Sequence, residues 1–149
     1  MLASYLKSKY NNDDVIKFYD IVTKGDIYEF ISNKMGYKSR DEAKIPFLQY
    51  LFKDNRGDVP VQHLVKSLFP ELYQIILEEK KMFISQGINL AVHLQRVESN
   101  IFIPVADQFP TGCLSVHDSL YCLPGMMDKI SNEVKSKMKS NGLENFQIK

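Results

Sequence analysis

The residues best placed to do chemistry lie in Cys113-Leu-Ser-Val-His-Asp-Ser-Leu-Tyr-Cys122. Leu114, Val116, Leu120 and Tyr121 supply strand-forming bulk on either side of His117-Asp118, two residue types that tolerate tight bends. A two-residue hairpin centred there sets Val116 opposite Ser119 and Cys113 opposite Cys122. Its tip presents an imidazole beside a carboxylate. A carboxylate on a rigid turn can bind a hard divalent cation, which prefers oxygen ligands.

A second group sits upstream. Arg40, Lys44, Leu48 and Phe52 recur at four-residue intervals, which keeps them near one face of a helix. Two cations at one end and an aromatic ring at the other suit a triphosphate and a base. Lysine gives phosphate a mobile point charge, and arginine gives it a fork of donors.

The elements that must position these groups are mostly helices. A short helix covers Leu2 to Tyr10. Asp13 or Asp14 is expected to cap a second, from Val15 to Thr23, with Val15, Phe18, Tyr19 and Val22 on its apolar face. Asp26-Ile-Tyr-Glu29 fits a capping pattern for a third, ending at Gly36. Ser39-Arg-Asp-Glu42 opens a fourth from Arg40 to about Phe52, with Pro46 inside it as an expected kink. Asp54-Asn-Arg-Gly-Asp58 reads as a turn-rich loop. Pro60 opens a helix through Phe69, and Pro70 opens another that carries Leu72, Ile75, Ile76, Glu79 and Phe83 at helical spacing. Asn89 caps a long helix to about Asp107, striped by Leu90, Leu94, Val97, Ile101 and Val105. After the hairpin, Pro124-Gly125 turns the chain into a last helix from Met126 to Met138. The fold class is therefore mainly α with a small β-hairpin.

The chain has 149 residues, 44% of them hydrophobic and 25% charged, the balance of one ordinary globular domain. With 19 basic and 18 acidic residues, its net charge of +1 gives no global footprint for nucleic acid, so any such role rests on local placement. No run of apolar residues is long enough to span a bilayer, no signal-peptide pattern opens the chain, and no membrane partner is expected. Two cysteines make no disulfide framework, and free thiols in a cytoplasmic protein, of bacterial or host-cell interior, are the expectation. His63, His93 and His117 are scattered, without metal-ligand spacing.

In order along the chain, these motifs resemble family A DNA polymerases. Val116-His117-Asp118 is similar to that family's third motif, whose aspartate holds catalytic Mg²⁺ beside the primer end. Ser119 stands where the family carries glutamate. His-Asp-Ser is the form of single-subunit RNA polymerases and some viral relatives, so an RNA polymerase-like fragment is the enzymatic alternative. Arg40 and Lys44 match the second motif, on the fingers helix that receives the incoming nucleotide. Phe52 stands at its tyrosine position, and Lys53 replaces its glycine. Asp26-x-Tyr28 and the Pro70 helix opening fall in the family's order. Leu94-Gln95-Arg-Val-Glu98 resembles its long palm helix, where a glutamine lies along the minor groove of the duplex.

The resemblance implies fingers-like helices over residues 26–87 and a palm-like helix, hairpin and final helix over 88–139. It implies primer-template DNA and a deoxynucleoside triphosphate as partners, Asp118 as metal ligand, His117 at the primer end, Arg40, Lys44 and Phe52 at the nucleotide, and Gln95 at the duplex. It also implies a viral or mobile-element source. The family's first motif, Asp-x-Ser, precedes a segment similar to Leu2-Ala3-Ser4-Tyr5-Leu6 and supplies the second metal ligand. This chain starts after it. The expectation is a module inactive alone, with Mg²⁺ bound only in a site completed by a second chain. Exposed palm surface would favour homo-oligomers. The non-enzymatic alternative is a helical module that binds nucleic acid or a protein.

Overall fold

The structure, a computed structural model, describes residues 1–53, 59–116 and 119–143. It is mainly α-helical with one two-stranded antiparallel hairpin among the described residues, as the patterning requires. They form two compact units, Leu2–His93 and a second from Leu94 onward.

The first unit contains α1 (Leu2–Lys9), α2 (Asp13–Lys24), α3 (Ile27–Met35), α4 (Arg40–Phe52), α5 (Pro60–Leu68), α6 (Pro70–Ser85) and the first turn of α7 (Leu90–Gln108). Sequence neighbours pack in pairs, α1 on α2, α3 on α4 and α5 on α6, and α2 also meets α6. Leu6, Val15, Ile31, Ala43, Val61, Leu72 and Ile76 are almost wholly removed from water and form the core that holds these pairs.

The ends of these helices are built by side chains. Asp26 caps α3, accepting hydrogen bonds from the amides of Tyr28 (2.8 Å) and Glu29 (3.3 Å). Gly36 ends that helix at φ 70°, a left-handed angle that side chains with a β-carbon disfavour. Ser32, buried, donates to the Ser39 carbonyl at 2.9 Å and so pins the link from α3 to α4.

Two caps differ from the sequence expectation. Asn12, not Asp13 or Asp14, caps α2, its side-chain oxygen taking the amides of Asp14 (2.8 Å) and Val15 (3.3 Å). Ser39 stands at the start of α4 but makes no side-chain cap hydrogen bond. Glu42 instead reaches back past the helix start and accepts the Lys38 amide at 3.2 Å.

Asp14 has another task. Phe69, which precedes α6, has no side-chain acceptor, and Asp14 from α2 accepts the Glu71 amide at 2.9 Å instead. Asn12 donates to the Glu71 carboxylate, closing a clasp between α2 and α6. Asp14→Ala is expected to cost about 1–2 kcal/mol, the usual value of an N-terminal cap. Chemical denaturation would show it as a lower midpoint with an unchanged slope.

In the second unit α7 continues through Pro104 to Gln108 and is followed by β1 (Cys113–Val116), β2 (Ser119–Cys122), a 3₁₀ turn (Pro124–Met126) and α8 (Met127–Ser140). Val105, Ile130 and Val134 form its core, against which Phe102, Phe109, Leu120 and Met138 pack. The strand register is Cys113 with Cys122, Leu114 with Tyr121, Ser115 with Leu120 and Val116 with Ser119, as the two-residue connection demands. Alternation then sends Cys113, Leu120 and Cys122 towards the core, while Leu114, Val116 and Tyr121 stay exposed.

Candidate functional site

The face of α4 that carries Arg40, Lys44, Leu48 and Phe52 is where helical periodicity puts it. Ala43, Phe47, Tyr50 and Leu51 are buried, whereas Arg40 and Lys44 are exposed and Phe52 is 38% exposed. Pro46 does not break the helix. It lies at the margin between the two faces, half-buried, and withholds one backbone donor from the turn before it.

Arg40 is already engaged. Its Nε donates to Asp26 Oδ2, and Nη1 lies 3.4 Å from Asp41 Oδ1. Its guanidinium sits 5.0 Å from the centre of the Tyr28 ring, and that ring meets buried Phe47 edge-on at 5.9 Å. Asp26 thus works twice, capping α3 with one oxygen and holding Arg40 with the other. Partial burial disfavours the Asp26 charge, but Arg40 and the two helix amides outweigh it and keep the carboxyl below its ordinary value. Lys44 has no ion pair among the described residues and leaves its ammonium in solvent.

His117 and Asp118 lie outside the described residues. The strand ends on either side of them, Val116 and Ser119, are paired. Gln95, on α7, is exposed. The structure therefore gathers Arg40, Lys44 and Phe52 on one helix of the first unit, with Gln95 and the hairpin strands in the second.

Sequence patterning passed over one polar centre. Glu79, on α6, is 2% exposed. Its Oε2 accepts from Tyr5 Oη at 2.6 Å, and its Oε1 accepts from Lys9 Nζ at 2.5 Å and from Tyr10 Oη. All three donors come from α1 or the residue after it, so the cluster fastens α1 to α6. Burial works against the Glu79 charge, yet Lys9, Tyr10 and Tyr5 together hold its pKa below the ordinary value. In turn burial and the Glu79 carboxylate push Tyr5 up to about 12. The signal was present in the sequence: Glu79 occupies an apolar position in the α6 stripe, and a charge there must find partners.

Next to it, Lys80 is also buried and donates to the Tyr50 carbonyl and, at 3.3 Å, to that of Lys53. It thereby serves the carbonyls at the C-terminal end of α4, which favour a cation. A small cavity near Phe18, Phe30 and Phe47 holds only about 10 Å³ and is lined by apolar side chains, too little room for a ligand. No cluster of three or more metal-ligating side chains occurs among the described residues. No helix among them is long and apolar enough to cross a membrane. No family model, curated protein or solved structure matches the chain.

Proposed function

We propose that the chain is the fingers-and-palm portion of a family A-like DNA polymerase, a nucleotidyl-transfer module that works inside cells and whose metal site needs a second carboxylate beside Asp118. The observation that carries this reading is the pairing of Val116 with Ser119, which leaves only His117 and Asp118 between two registered strands. A hairpin of that register is the support a metal-holding carboxylate needs. Asp118 is assigned to Mg²⁺ and His117 to the primer end. The open face of α4 supplies Lys44 and Arg40 for the triphosphate and Phe52 for the base. Gln95 is assigned to the minor groove, whose acceptors occur in every base pair and let an amide test shape without reading sequence.

Triphosphate binding tests the reading directly. A fluorescent deoxyadenosine triphosphate analogue with Mg²⁺ is expected to bind the chain, and Lys44→Ala to weaken that binding about tenfold, the loss of roughly 1.4 kcal/mol of charge-assisted contact. Lys17→Ala, another exposed lysine, should change nothing. Absence of binding, or equal loss from both substitutions, defeats the assignment.

The grip of Asp26 and Tyr28 on Arg40 weighs against a catalytic task for that side chain and leaves a second reading, a non-catalytic helical module that binds nucleic acid or a protein. A guanidinium spent on holding α3 to α4 contributes structure first. That reading expects a salt-sensitive affinity for DNA that needs no Mg²⁺ and is indifferent to Asp118→Ala.

A further inference from the structure

We propose that Cys113 and Cys122 are a cross-strand dithiol that a low-molecular-weight disulfide converts to an intramolecular disulfide, locking the base of the hairpin. The two residues are directly paired across β1 and β2. Hydrogen-bonded and non-hydrogen-bonded pairs alternate along an antiparallel ladder. The Leu123 amide donates to the Gly112 carbonyl at 3.0 Å, so the pair one step further in, Cys113 with Cys122, is of the non-hydrogen-bonded kind. In such pairs the α-carbons sit about 4.5 Å apart and the side chains lean together. That lies within the span of roughly 4.4–6.8 Å that a disulfide bridges without moving the backbone.

Both thiols are free and half-buried, and both pack on the core side of the hairpin. Burial first, and then the neighbouring Cys122, holds the Cys113 thiol above its ordinary value, as befits two thiols near enough to feel each other's charge. They are also within reach of solutes. An open groove of about 460 Å³, bordered by Cys113, Cys122, Pro110 and Leu123, runs along the base of the hairpin.

The chemistry balances with glutathione disulfide as oxidant. One protein thiolate attacks a sulfur of the oxidant, its S–S bond breaks, and glutathione thiolate leaves. The second protein thiolate then attacks the protein sulfur of the mixed disulfide and expels the second glutathione thiolate. The protein loses two electrons, the oxidant gains them, and the two thiol protons end on the departing glutathiones. The inference does not use the polymerase reading, because it concerns only the strands and their register.

The test is equilibration of the reduced full chain in glutathione buffers of varied ratio, followed by acid quenching and mass measurement. The folded chain should lose the mass of two hydrogens, carry no glutathione adduct and remain monomeric on a non-reducing gel. Cys113→Ser and Cys122→Ser should each instead accumulate a single glutathione adduct. The effective concentration of one thiol for the other should exceed that of the same chain in denaturant by on the order of 100-fold. Two glutathione adducts on the folded wild-type chain, a disulfide between chains, or an effective concentration no higher than in denaturant would overturn the proposal.

Discussion

Glu79→Ala is expected to lower the stability of the first unit by about 3 kcal/mol, the low end of the cost of orphaning partners of a buried charge. For a unit of this size that moves the melting temperature by on the order of 10–20 °C. The substitution leaves Tyr5, Tyr10 and Lys9 without the acceptor that gathers them, and it opens space beneath α1. Water can reach Lys9, whose side chain is 41% exposed, which is why the cost stays at the low end. Glu79→Gln keeps the shape and a carbonyl acceptor for Lys9 and Tyr10 but loses the charge and turns its amide towards Tyr5, whose hydroxyl can accept, so it should fall between alanine and wild type.

The charge is separable from the packing by pH. Because Glu79 is held below its usual 4.5, the stability it adds is complete above that value and is lost as the pH falls through its folded pKa. Lys9 is shifted the other way, above its usual 10.5, so its share is present below that value and lost as the pH rises through its own folded pKa. The gap between wild type and Glu79→Gln should therefore be steady near neutrality and close in acid. Melting curves followed by circular dichroism from pH 2 to pH 9 measure it. A gap unchanged at the acid end would mean that the carboxylate's charge contributes nothing.

Local rules served the sequence reading well where structure is decided locally. Asp26 and Asn89 cap their helices because a side-chain oxygen needs to reach only two or three residues ahead. Pro60 and Pro70 open helices because a first-turn amide would have no partner anyway. The hairpin register followed from a two-residue connection, which admits one pairing. Long-range assignments were not legible in the same way. Asp13 and Asp14 are both good caps, so adjacency alone could not show that Asn12 takes the role and frees Asp14 to serve α6, far along the chain. In the sequence Arg40 stands out by its four-residue spacing to Lys44. Its stronger tie, to Asp26, crosses from one helix start to another, and no periodicity reports it.

That tie sharpens what the candidate site must do. Asp26 keeps Arg40 oriented at the start of α4 while Lys44, one turn further, remains open to solvent. A triphosphate arriving on this face would meet Lys44 first and would have to share Arg40 with Asp26. On the polymerase reading this makes Lys44 the larger contributor to nucleotide affinity. Arg40→Ala then combines a binding loss with loosening of α3 against α4, and only Lys44→Ala reports binding cleanly.

On the polymerase reading, Asp118→Ala is expected to abolish primer extension, by on the order of 1000-fold or more, in a mixture where a second polypeptide supplies an Asp-x-Ser segment. On that reading a polypeptide of residues 1–149 tested alone should extend no primer. Two-metal phosphoryl transfer needs one ion to activate the 3′ hydroxyl and another to steady the departing pyrophosphate, and a single carboxylate can neither hold nor align both. With the second carboxylate present, that reading makes Asp118 indispensable, since alanine would remove both a charge and an oxygen ligand. Asp118→Asn keeps the shape and one oxygen, so a small residual rate that grows with the metal concentration is expected from it. Lys44→Ala in the same mixture should raise KM for the nucleotide far more than it lowers kcat, because its contact is made before the reacting atoms meet. DNA binding should survive Asp118→Ala, which separates a lost metal ligand from a lost fold. Extension by the mixture that is undiminished in Asp118→Ala would remove the hairpin from the chemistry and leave the binding module as the standing account of this chain.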